Sequence, residues 1–181
     1  MVMLEEALTF PDVAREYVSF IGLLAAGGAM GFRWSAARPL LRLASNASSD
    51  VPVRIAHRAV RSAAVIGIIG VLISIGLTLF SAMGAATEKH ATLGQVLMGN
   101  KASGAINLGL TLLALLGYLL AAARLGFGWV LASLAVVAKA LRGLVGGDVM
   151  RVVNPFHVLM ASLWIGTLAV MVIAGRPWRP W

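Results

Sequence analysis

Three histidines, eight methionines and no cysteine bound the metal chemistry open to this chain. His157, Met160 and Trp164 stand at i, i+3 and i+7, a spacing that places them on one face of a helix turning about 100° per residue. That face is expected to turn toward a helical bundle, because an imidazole left facing apolar surroundings costs free energy that a partner offsets. Imidazole nitrogen serves several transition metals, whereas thioether sulfur selects copper, above all Cu(I). A set drawn from His157, His90, Met160 and Met98 therefore suits copper, with Trp164 as a packing residue or the wall of a pocket. Zinc suits it less, because there is no thiolate and no cluster of carboxylates. The absence of cysteine also excludes disulfides and thiol catalysis. His57, set among Arg54, Arg58 and Arg61, reads as a surface residue. Plainer readings stand beside these. Methionine is an ordinary filler of apolar helices, and a histidine at a helix entrance also serves as a polar residue at headgroup level.

The elements that would position these residues follow from composition. Hydrophobic residues make up 60% of the 181 and charged residues 12%, with a mean hydropathy of +0.90. Soluble domains carry about 25% charge. The expectation is an all-α integral membrane protein, one transmembrane domain over residues 1–181. Crossing about 30 Å of hydrocarbon takes about 20 helical residues. Five apolar stretches approach or reach that length: residues 17–34, 63–83, 105–123, 127–144 and 155–175. Backbone groups in lipid must be satisfied within the segment, so these are helices rather than strands. The acidic start, MVMLEEALTFPDVAREY, lacks the basic opening of a cleavable signal peptide, and the first helix is expected to remain as a span.

Orientation follows from the basic residues beside the spans. Arg33, Arg38, Arg42, Arg54, Arg58 and Arg61 crowd the connection after the first helix, and Arg124, Arg176 and Arg179 share its side. The opposite side holds Arg15, Lys89, Lys101, Lys139, Arg142 and Arg151, together with most of the acids. The bundle is thus expected to place its N-terminus outside and its C-terminus inside, with His157, His90 and Met98 toward the outer face. This distribution accounts for the net charge of +8 without nucleic acid. The basic inner segment also suits anionic lipid headgroups. Trp178 and Trp181 beside Arg176 and Arg179 read as interface anchors.

Small residues punctuate the spans. Gly27 and Gly31 form a G-x-x-x-G spacing that lets helix backbones approach, and in a multi-span chain this predicts packing within one molecule. SNASSD, from Ser45 to Asp50, reads as a polar turn. No carboxylate lies inside a span, so a proton relay or acid–base pair has no members, and the chain is not expected to be an enzyme. Lys139 and Arg142 stand near an outer interface to which they can snorkel. A haem-binding electron carrier is a lesser alternative, with His157 axial and methionine as the second ligand.

The stretch FHVLMASLWIGTLAV, Phe156 to Val170, resembles the copper resistance protein D family (CopD, PcoD), whose members carry a helix that opens with histidine and continues through small residues to Trp-x-Gly. Here those residues are His157, Ala161, Ser162, Trp164 and Gly166. Upstream, IGLLAAGGAMGFRW, RAVRSAAVIGIIGVL and LMGNKASGAINLGL follow in a similar order. The resemblance implies a protein of the bacterial inner membrane, shortened to five helices, that binds copper at its periplasmic face and takes part in copper transport or resistance. It also implies a periplasmic copper donor as a candidate partner. Where the family commonly carries Thr-Gly-His near the end of the fourth span, this chain has Leu141-Arg142-Gly143-Leu144. A complete path would then need a homo-oligomer or a larger membrane complex. The alternative is a metal-free structural or assembly subunit of such a complex.

Overall fold

Alanine and glycine, rather than large apolar side chains, make most of the close contacts between helices in the computed structural model, which describes residues 10–46, 50–98, 101–141 and 149–174. Helix α1 (Phe10–Gly31) runs through a π-helical segment (Phe32–Ala37) into α2 (Arg38–Ser45). Then come α3 (Val51–Glu88), the short α4 (Leu93–Met98), α5 (Lys101–Ala122), α6 (Gly126–Leu141) and α7 (Val149–Ala174). The described residues contain no strand. Two helical stretches, Val51–Glu88 and Gly104–Ala122, are long and apolar enough to cross a membrane, and Gly126–Leu141 and Leu159–Ala174 are shorter apolar helices. Arg142, Asp148, Arg176, Trp178, Arg179, Trp181 and the acidic residues Glu5 and Glu6 lie outside the described residues, as does the middle of the SNASSD turn.

The π segment has an identifiable cause. Pro39 lacks an N–H, and its ring collides with the carbonyl four residues back in a regular helix, that of Ser35. Widening the preceding turn relieves the collision without ending the helix. As a result, the connection between the first two expected spans is largely helical, formed by α2 and the first three turns of α3. At 1.5 Å per residue the 38 residues of α3 extend about 57 Å, well beyond the expected span of 63–83.

Helix α1 is the centre of the packing, against α3 on one side and α7 on the other, while α5 and α6 form an antiparallel hairpin that docks on α3. Small residues meet at each contact. Gly22 faces Gly70, Gly28 faces Gly166, and Gly117 faces Ala132. Gly27 lies against Ser162, and Gly31 against Thr167 and the Leu163 carbonyl. The G-x-x-x-G spacing is therefore used inside the chain, between α1 and α7, which run parallel. Large apolar residues point the other way. Phe80, Leu134, Phe127, Val172 and Ile173 are all exposed.

Two helices end in the same manner. His90 and Arg124 have φ of 49° and 69°. The N–H of His90 reaches the Thr87 carbonyl and that of Ala91 the Ala86 carbonyl. Likewise the N–H of Arg124 reaches Ala121 and that of Leu125 reaches Leu120. These are Schellman closures with a side-chain-bearing residue in the left-handed position that glycine usually takes. Beyond His90, Thr92 and Gln95 cap α4 reciprocally. The Thr92 N–H donates to Gln95 Oε1 at 2.9 Å and the Gln95 N–H to Thr92 Oγ1 at 3.3 Å.

Candidate metal centre and the polar interior

The buried seam of α7 comprises Leu159, Ser162, Gly166, Val170 and Ala174. Its spacing of three and four residues is that of a single helical face. Met160 and Trp164 each stand two residues from Ser162, about 200° around the helix. His157 is exposed, Met160 is 47% exposed and Trp164 73% exposed. This corrects the expectation that the His157, Met160 and Trp164 face turns into the bundle, and Trp164 is no interior wall. The physical reason is close backbone approach, which small residues allow: Ser162 and Gly166 lie against Gly27 and Gly28 of α1 and so take the buried face.

His90 and Met98 are also exposed, Met98 by 46%. His90 owes its position to the closure of α3, and Met98 ends α4. Among the described residues, no group of three or more histidine, aspartate or glutamate side chains is placed to hold a metal ion. A shallow concavity of about 490 Å³ beside the end of α3 is lined by Arg15, Met83 and Glu88, among others, and by neither histidine. The four candidate ligands thus sit at surfaces, with His157 and Met160 sharing one.

Polar groups that sequence reasoning passed over occupy the interior. Tyr118 of α5 is fully buried, and its hydroxyl donates to the Ala26 carbonyl of α1 at 2.6 Å. It crosses α3 at Gly67, where a Cβ would stand only 2.6 Å from the ring. The edge of Tyr118 meets Trp129 of α6 with centroids 5.9 Å apart and planes at 89°. Trp34, carried by the π segment, donates from Nε1 to Ser133 Oγ at 2.8 Å, and Ser133 donates to the Trp129 carbonyl at 2.7 Å. Arg38 stacks over Trp34 at 4.6 Å. These contacts tie α1, α5 and α6 together.

Lys139 departs from the expectation that it snorkels to the outer interface. Its Nζ donates to Thr111 Oγ1 of α5 at 2.8 Å, and Thr111, only 7% exposed, donates to the Asn107 carbonyl at 2.8 Å. Thr111, Asn107 and Thr78 line a small cavity of about 70 Å³ between α3, α4 and α5. The apolar pattern of α5 concealed this site, because one threonine per helix is unremarked until a neighbouring helix brings a cation to it.

The chain has no significant match among protein-family models, curated proteins or solved structures.

Proposed function

We propose that this chain is a multi-pass protein of the bacterial inner membrane, crossing it five times with its N-terminus outside. In this reading it binds copper at its periplasmic face in the manner of the CopD family and takes part in copper transport or resistance rather than catalysis. The observation that carries the reading is the opening of α7. His157 presents an exposed imidazole, and Met160, one turn on, an exposed thioether on the same face. An imidazole and a thioether one helical turn apart form half of a Cu(I) site. Because that face points away from the bundle, the remaining ligands come from a second copy, a larger complex or a copper donor, with His90 and Met98 as further contributors. Metal content of the detergent-purified protein, wild type beside His157→Ala, tests the proposal. Copper in fixed proportion to protein, lost in the variant, supports it. Copper in neither protein removes it.

A second reading rests on Trp164. Tryptophan concentrates at membrane interfaces, whereas Trp164 lies within the apolar stretch Leu159–Ala174 and is 73% exposed. A partner helix packed against it would make the chain a metal-free structural or assembly subunit. That reading predicts a stoichiometric partner on purification in mild detergent, lost in Trp164→Ala.

A further inference from the structure

The basic side of the bundle holds a cavity of about 150 Å³ at the junction of the π segment, α3 and the turn between α5 and α6. Arg33, Arg61 and Arg124 line it with His57, and Leu41, Val60, Leu125 and Trp129 supply apolar walls. Among the described residues, no carboxylate lines it. Each arginine arrives by a different device. The π segment carries Arg33, whose guanidinium lies 6.0 Å from the centroid of the Trp129 ring. Arg61 projects from α3 one turn beyond His57. Arg124 occupies the left-handed position that closes α5.

Two donors of Arg33, Nε and Nη1, are buried and have no hydrogen-bond partner among the described residues. Buried donors without acceptors are costly, more so on a charged group, and three like charges around one cavity repel. An anion with several acceptor oxygens would answer both. A planar guanidinium matches a phosphate with paired N–H···O bonds. The volume would hold several waters at about 30 Å³ each, which is the scale of one phosphate group.

We propose that this cavity binds a phosphate group, supplied by the headgroup of an anionic phospholipid or by free phosphate. Basic pockets between helices on the cytoplasmic side of membrane proteins are suited to such headgroups, and the apolar walls would accept the start of an acyl chain. The lipid source requires the membrane placement proposed above; the phosphate chemistry does not, and neither depends on copper.

The test titrates the full-length protein in neutral detergent with phosphatidylglycerol and, separately, with inorganic phosphate, counting bound molecules by native mass spectrometry. Arg124→Gly removes a guanidinium while giving the left-handed position its preferred residue, so the fold is retained. Arg61→Gln alters an exposed side chain, and Arg42→Gln is an exposed control that does not line the cavity. The expected result is saturable phosphatidylglycerol binding, weakened roughly tenfold or more in Arg124→Gly and in Arg61→Gln and unchanged in Arg42→Gln. Inorganic phosphate that binds with the same arginine dependence and displaces the lipid supports the site and identifies free phosphate as its ligand. Binding of lipid and phosphate that is absent, or indifferent to Arg61 and Arg124, overturns the proposal.

Discussion

Replacing Gly67 with alanine tests how the bundle is held together. A Cβ at this position would lie 2.6 Å from Cδ1 and Cε1 of Tyr118 and 2.8 Å from Cζ. That is about 0.8 Å inside the 3.4 Å at which ordinary contact begins. The ring cannot easily yield, because its hydroxyl is bound to Ala26 at 2.6 Å and its edge is against Trp129. Overpacking of this kind costs about 1–3 kcal/mol, and displacing the hydroxyl adds about 1 kcal/mol. Alanine regains up to about 1 kcal/mol of helix propensity over glycine, leaving a net loss of about 1–3 kcal/mol. Gly76, on the same helix, has nothing within 4 Å of an added Cβ, so Gly76→Ala is expected to be neutral or slightly stabilising. Unfolding in detergent, followed by circular dichroism, measures both. The decisive comparison repeats Gly67→Ala in a Tyr118→Leu background, where the cost should fall by at least about 1 kcal/mol because the two residues touch. Equal costs in the two backgrounds, or a Gly67→Ala protein as stable as Gly76→Ala, would refute the reasoning.

Other contacts give further expectations. Gly166→Val forces a side chain into the Leu24 carbonyl and Gly28, and should cost about 1–3 kcal/mol or more, read as a lower unfolding midpoint. His90→Gly should leave stability unchanged or raise it by up to about 1 kcal/mol, since glycine is at ease at positive φ; a clear loss would mean that the imidazole holds something in place. Thr111→Val, which leaves the Lys139 ammonium without its acceptor, should cost about 1–3 kcal/mol. Lys139→Met removes the charge as well and should cost less. Equal losses in thermal unfolding would argue against that hydrogen bond.

The helices were legible because twenty-residue apolar runs and small-residue spacing are local properties of the chain. Each expected span falls largely within a helix, and Gly27 and Gly31 do bring α1 against another helix of the same chain. The facing of α7 was not legible from polarity. His157 suggested an inward face, but Ser162 and Gly166 pack closest and turn that face outward. Nor did the basic connection announce its structure. Pro39 does not end the helix but is absorbed by a π turn, which brings Arg33 beside Trp129. The pairing of Lys139 with Thr111 depends on the register of α5 against α6, which neither helix encodes alone. His90 carries an imidazole that reads as a ligand, while its backbone closes α3, and a lone sequence does not separate those two reasons.

The central claim is that His157 anchors copper on the exposed face of α7. Competition of the detergent-purified protein with a Cu(I)-selective chromophoric chelator tests it directly, comparing wild type with His157→Ala. The account predicts that the wild-type protein withdraws copper from the chelator to a saturating level and that His157→Ala does not. Withdrawal to the same extent by both proteins, or by neither, would contradict it.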